Sequence, residues 1–137
     1  MYRHEIKYYE CDRMGITHHS NYIRIMEEAR VDWMDKIGFG FDRMEAEGVV
    51  SPVVSVECQY RKSTTFKDVV GVELAVASVS PLKLTFAYTM YLLDPATGDK
   101  GPIVCTAKST HCFFENGRPV SLAARFPQLA EALEILK

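Results

Sequence analysis

The spacing of apolar residues changes character twice along the chain. Residues 2–9, YRHEIKYY, form a short tyrosine-rich run of strand type. From Ser20 onward, Ile23, Met26, Ala29, Trp33 and Ile37 recur at steps of three and four. Arg24, Glu27, Glu28 and Asp35 fall largely elsewhere. That spacing predicts an amphipathic helix with one apolar stripe, its first N–H groups capped by Thr17 or Ser20. GFGF at 38–41 interrupts it, and a second short helix follows through Met44 and Ala46.

The period then drops to two. Segments 49–62, 69–80, 82–94 and 102–115 alternate or run apolar and are rich in β-branched and aromatic residues. STTFKD, SP and PATGDKG lie between them, turn chemistry short enough for hairpins. ENGRP (115–119) ends the last strand, and a closing helix occupies part of 121–136, with Pro127 at its start or at a kink. The order predicts an α+β fold: an antiparallel sheet with the long helix laid across one face.

A length of 137 residues suits a single domain, 1–137, that buries roughly 65–70% of its unfolded surface. A net charge of −2 gives no general attraction to nucleic acid or to acidic membranes. No run approaches the ~18 apolar residues of a membrane helix, and the first ten residues lack the apolar segment of a signal peptide. A cytoplasmic protein is expected. The four cysteines (Cys11, Cys58, Cys105, Cys112) form no C-x-x-C pair, so reduced thiols are expected and no metal site.

The densest chemistry lies between the first strand and the long helix. YYECDRMGITHHSNYIR (8–24) places two acids, two histidines and three tyrosines around one glycine. In this stretch Tyr8, Asp12, Gly15, His19, Asn21 and Tyr22 hold the spacing Tyr-x3-Asp-x2-Gly, then His-x-Asn-Tyr leading into the helix. With EEAR (27–30) and QYRKSTTFKD (59–68), it resembles the hotdog-fold acyl-CoA thioesterases of the 4-hydroxybenzoyl-CoA thioesterase-like family. Cys11, Arg13 and Met14 depart from the residues the family often carries there.

The resemblance implies a hotdog fold, an antiparallel sheet wrapped around a long central helix. It also implies hydrolysis of an acyl or aroyl thioester to free acid and coenzyme A. Such chemistry needs an attacking group and a stabiliser for the negative carbonyl oxygen. Asp12 is expected as nucleophile or general base. Backbone N–H groups at the helix start, that of His19 or its neighbour, are expected to polarise the carbonyl. His19 and Tyr8 complete the expected catalytic set. Gly15, Asn21 and Tyr22 are expected at the substrate: Gly15 to turn the chain tightly beside the acyl group, Asn21 to brace the helix start there and Tyr22 to line the acyl pocket.

Arg61 and Lys62, with Ser63 or Thr64, are expected at the coenzyme A phosphates. The plain alternative for that basic run is a solvated strand end. Cys11 is expected to pack, and His4 and His111 are assigned no role. No separate cofactor is expected, coenzyme A being part of the small-molecule substrate. The resemblance further implies a homodimer or a homotetramer built as a dimer of dimers, with sites between subunits. Two other readings of the same fold are a non-catalytic acyl-thioester-binding protein and a thioester dehydratase.

Overall fold

The computed structural model describes residues 1–137. Strand β1 (Tyr2–Glu5) is followed by a 3-10 turn (Tyr8–Glu10), the long helix α1 (Ser20–Lys36) and the short helix α2 (Phe41–Ala46). Then come β2 (Val49–Val50), β3 (Val53–Tyr60), β4 (Val69–Val79), β5 (Lys83–Leu93) and β6 (Lys100–Cys112). A hairpin of β7 (Phe114–Glu115) and β8 (Arg118–Pro119) precedes α3 (Leu122–Arg125) and α4 (Pro127–Leu136). Five strands make one sheet in the order β1-β4-β5-β6-β3, and β2, β7 and β8 make a small second one. This is the expected mixed α+β architecture, an antiparallel sheet with one long helix, the hotdog fold.

Local chemistry fixes the links. β1 runs antiparallel to β4, with Tyr2 opposite Val72 and His4 opposite Val70. The β4–β5 turn closes where the Ser80 N–H donates to the Lys83 carbonyl at 2.8 Å. Between β5 and β6, Asp94 accepts the N–H groups of Ala96 (2.8 Å) and Thr97 (3.0 Å). Those backbone donors hold its carboxyl below the usual range. Asn116 and Gly117, with φ of 53° and 75°, form the two-residue turn between β7 and β8. This is the Asn-Gly hairpin signal, here making a hairpin where the sequence suggested only a strand end.

Three expected elements are cut shorter. The opening strand stops at Glu5, because the Glu10 carboxylate accepts the Lys7 N–H at 2.7 Å and curls residues 8–10 into a 3-10 turn. The expected strand 49–62 breaks at Pro52, which cannot donate to a ladder. The closing helix divides at Phe126, whose φ of −136° and ψ of 70° are non-helical, as a residue before proline favours. The stripe on α1 also differs: Tyr22, Ile25, Met26, Ala29 and Met34 are buried, whereas Ile23 is 47% exposed.

The chain divides into two compact units, residues 1–30, 58–74 and 88–107 in the first and residues 31–57, 75–87 and 108–137 in the second. In the first, the buried Arg30 donates to the Tyr88 hydroxyl at 3.0 Å, and the Cys58 thiol lies 3.6 Å from the Met26 sulfur. In the second, Trp33 stands edge-on to Phe86 at 5.5 Å, and Phe86 edge-on to His111 at 5.7 Å. The edge strand β3 is open along its length, with Val53, Val54 and Val56 each at least one-third exposed.

Candidate active site

The chain from Cys11 to Thr17 folds back on itself. Cys11 and Thr17 form an antiparallel bridge, and the Asp12 N–H donates to the Ile16 carbonyl at 2.9 Å. The Gly15 N–H returns to the Asp12 carbonyl at 3.0 Å, while the Met14 N–H donates to Asp12 Oδ1 at 2.8 Å. An aspartate at the first turn position takes the N–H two residues on, and a left-handed residue closes such a turn. Gly15 is that residue, with φ of 80°, and a Cβ there would meet nothing within 4 Å. Within the chain its necessity is therefore conformational, set by the left-handed φ and not by crowding from a neighbouring group.

The turn delivers the chain to the start of α1. The His18 N–H donates to the Glu10 carbonyl at 2.8 Å, and Asn21 Nδ2 donates to the same oxygen at 2.9 Å. Asn21, 8% exposed, thus braces the helix start from inside. The expected caps are replaced. Thr17 points away from the helix to Thr64, and His18 Nδ1 accepts the Ser20 N–H at 3.2 Å and faces Ser20 Oγ at 2.8 Å. The backbone N–H of His19 has no protein acceptor. Its ring stacks on that of His18 with centroids 4.2 Å apart.

Segment 60–65 is stitched to this turn by hydroxyls. Thr64, 2% exposed, has its Oγ1 2.7 Å from Thr17 Oγ1 and 2.9 Å from the Tyr22 hydroxyl, and its carbonyl takes the Thr17 N–H at 2.8 Å. Thr65 Oγ1 donates to the Gly15 carbonyl at 2.7 Å. The Tyr60 hydroxyl donates to the His19 carbonyl at 3.3 Å, and its ring lies 5.2 Å from that of Tyr22. Burial pushes the Tyr22 hydroxyl above its usual range. Tyr60 is half exposed; burial first and the Cys58 thiol second push its hydroxyl up to about 12.

These contacts enclose a cavity of about 300 Å³ lined by Asp12, Met14, Ile16, Thr17, His19, Tyr22, Tyr60, Arg61, Lys62 and Ser63. Six residues singled out from the sequence are therefore in one place: Asp12, His19, Tyr22, Arg61, Lys62 and Ser63. Three stand behind it: Gly15 in the turn, Asn21 under the helix start and Thr64 in the hydroxyl network. Tyr8 stands apart. It is 79% exposed on the 3-10 turn, edge-on to Phe66 at 5.5 Å. Thr64 is enclosed by Thr17 and Tyr22, so its hydroxyl faces inward and not toward the basic rim. Arg61 Nε donates to Thr106 Oγ1 at 3.3 Å, and Lys62 is exposed.

Met14, Ile16, Thr17 and Tyr60 line the cavity without having been singled out as site residues. Tyr60 had a signal, because it directly precedes Arg61 in the run QYRKSTTFKD. No group of three or more His, Cys, Asp or Glu side chains is arranged to hold a metal ion, and no helix is long and apolar enough to cross a membrane.

Comparison with known proteins places this geometry in a family. The model of the thioesterase-like superfamily matches residues 6–133. YneP of Bacillus subtilis (strain 168), whose name carries a provisional acyl-CoA thioesterase assignment, is 31% identical over 135 residues, 97% of this chain and 94% of its own. The crystal structure of DHNA-CoA thioesterase from Staphylococcus aureus is 29% identical, with a TM-score of 0.88 over 98% of this chain and 87% of that one. The 4-hydroxybenzoyl-CoA thioesterase of Pseudomonas sp. strain CBS-3 shares the fold at 22% identity, with a TM-score of 0.81 over 93% of this chain and 96% of that one. The chain belongs to the thioesterase-like superfamily and is a hotdog-fold thioester hydrolase.

Proposed function

We propose that the protein hydrolyses an acyl or aroyl coenzyme A thioester, with Asp12 as nucleophile or general base and the His19 N–H polarising the carbonyl. The observation that carries this reading is that one cavity is lined by both Asp12 and His19 and rimmed by Arg61 and Lys62. A carboxylate and an unclaimed N–H at a helix start are the two parts that thioester hydrolysis requires. One donor aimed at the developing oxyanion contributes roughly 3–4 kcal/mol to the transition state. The Asx turn supports the role of Asp12, since Met14 occupies only Oδ1 and the second oxygen remains available to substrate or water. In the general-base route Asp12 takes a proton from the attacking water and returns it to the departing coenzyme A thiolate; in the nucleophilic route the thiolate takes its proton from solvent, and water then opens the mixed anhydride to free acid and the Asp12 carboxylate.

The acyl group lies against Met14, Ile16, Tyr22 and Tyr60, and the phosphates meet Arg61, Lys62 and Ser63. Tyr8, turned out to solvent, does not line the cavity and is left out of the chemistry. The open β3 edge supports pairing with a second copy into a homodimer, or further into a dimer of dimers, because exposed valines and free ladder groups on an edge strand invite a partner strand. We also place the protein in the cytoplasm.

A panel of acyl-CoA esters, short, medium, branched and aromatic, read by free-thiol release, tests the reading. Thiol release with normal turnover on at least one ester supports it. Binding without thiol release would favour a non-catalytic acyl-thioester-binding protein, and an altered acyl chain would favour a dehydratase.

A further inference from the structure

Outside the cavity lies one buried charged cluster. Glu10 is 1% exposed, and its Oε1 sits 2.8 Å from His4 Nε2 and 2.7 Å from the Lys7 N–H. The other ring nitrogen of His4, Nδ1, is 3.4 Å from Glu28 Oε2, and that oxygen also accepts the Tyr2 hydroxyl at 3.0 Å. Carboxylates only accept, so the ring satisfies both when both its nitrogens carry hydrogen. His4 is itself anchored in the sheet opposite Val70.

The cluster leads to the site through the main chain of Glu10. The same residue whose carboxylate is held by His4 gives its carbonyl to the His18 N–H and to Asn21 Nδ2. Those two donors flank His19 on either side, and Asp12 follows Glu10 by two residues. A buried carboxylate stripped of its ring partner keeps only the Lys7 N–H and moves toward water to regain its lost hydrogen bond. That movement shifts the Glu10 carbonyl and with it the direction of the His19 N–H. Displacements of this kind, well short of unfolding, lower rates because the oxyanion donor acts only when aimed.

We propose that His4 is a positioning residue for thioester hydrolysis, acting through Glu10 to set the start of α1. The inference rests on the thioesterase reading for its kinetic consequence, but its structural half stands alone.

The test compares wild type with His4→Gln, His4→Ala and Glu28→Gln. Measurements are kcat and KM on an ester that wild type hydrolyses, the thermal midpoint, and backbone amide NMR of His18, His19 and Asn21. The expected result is a kcat about tenfold lower in His4→Ala with KM within about twofold, and partial recovery in His4→Gln, which retains one donor. Glu28→Gln, the milder change on a partly exposed residue, lowers kcat about two- to threefold with the thermal midpoint unchanged. Amide shifts at His18, His19 and Asn21 accompany the loss. Unchanged kcat in His4→Ala, or equal losses in His4→Gln and His4→Ala, would overturn the proposal. So would amide shifts confined to β1. If His4→Ala does not fold, Glu28→Gln decides alone by the same criteria. If wild type releases no thiol from any ester, the catalytic reading fails separately, and the amide shifts still decide whether His4 sets the helix start.

Discussion

The Tyr60 hydroxyl donates to the His19 carbonyl at 3.3 Å, tying the last residue of β3 to the residue just before α1. That bond spans 41 positions of sequence and leaves the other polar group of His19, its N–H, directed elsewhere. A neutral hydrogen bond of this kind contributes about 1 kcal/mol. Tyr60→Phe keeps the ring against Tyr22 and removes only the hydroxyl. Its kcat is expected to fall about three- to tenfold with the fold unchanged, as steady-state kinetics beside circular dichroism will show.

Thr64 is the centre of the hydroxyl network under the cavity. Thr64→Val preserves shape and leaves the Tyr22 hydroxyl without its 2.9 Å partner. Losing a buried partner costs about 1–3 kcal/mol. Urea denaturation should show a loss in that range, with KM little changed because the side chain does not line the cavity. A raised KM with unaltered stability would instead return Thr64 to the substrate surface.

The basic rim makes a different prediction. Lys62 is exposed, so its attraction for phosphate is screened by solvent and salt. Lys62→Gln is expected to raise KM for a coenzyme A ester about three- to tenfold while kcat stays within about twofold. The KM difference should shrink as ionic strength rises. A shortened substrate lacking the nucleotide should show no difference between the two proteins.

Cys105 supplies a dependence on pH. Burial first, then the neighbouring Cys58 thiol, pushes its thiol from 9.0 up to about 12. The folded state therefore holds that proton more tightly than the unfolded chain. The resulting stabilisation is fully present below pH 9 and is lost as pH rises toward 12. Urea midpoints should fall more steeply between pH 9 and 11 in wild type than in Cys105→Ala. Tyr60, raised in the same direction, adds to the slope, and Tyr60→Phe should flatten it further. In the native protein at pH 8, buried Cys105 should react with an alkylating agent more slowly than the half-buried Cys11, Cys58 and Cys112.

How far the sequence could be read depends on where each residue's signal originates. The turn that Asp12 and Gly15 build was legible because it is local: the Asx bond to Met14 and the left-handed φ of Gly15 need no other part of the chain. Asn21 was legible in the same way, as a small polar residue at a helix start. Tyr8 was not, because its outward direction is decided by Glu10, whose carboxylate takes the Lys7 N–H, curls residues 8–10 into a 3-10 turn and ends the strand early. Thr64 was placed on the wrong side because irregular segments have no period to tell inside from outside, and only Thr17 and Tyr22, more than forty residues away, determine it. The valines of β3 alternate like a half-buried strand but sit on a sheet edge, a matter of topology. His4 carried no signal at all, since its partners are a turn and a helix that only the fold brings together.

The most direct measurement is the turnover of Asp12→Asn on the best ester of the panel. The asparagine oxygen can still accept the Met14 N–H, so the turn is kept and only the ionisable oxygen is lost. A kcat lower by about a thousandfold or more, with KM and thermal midpoint close to wild type, is the predicted result. A kcat within about tenfold of wild type would contradict the assignment of Asp12.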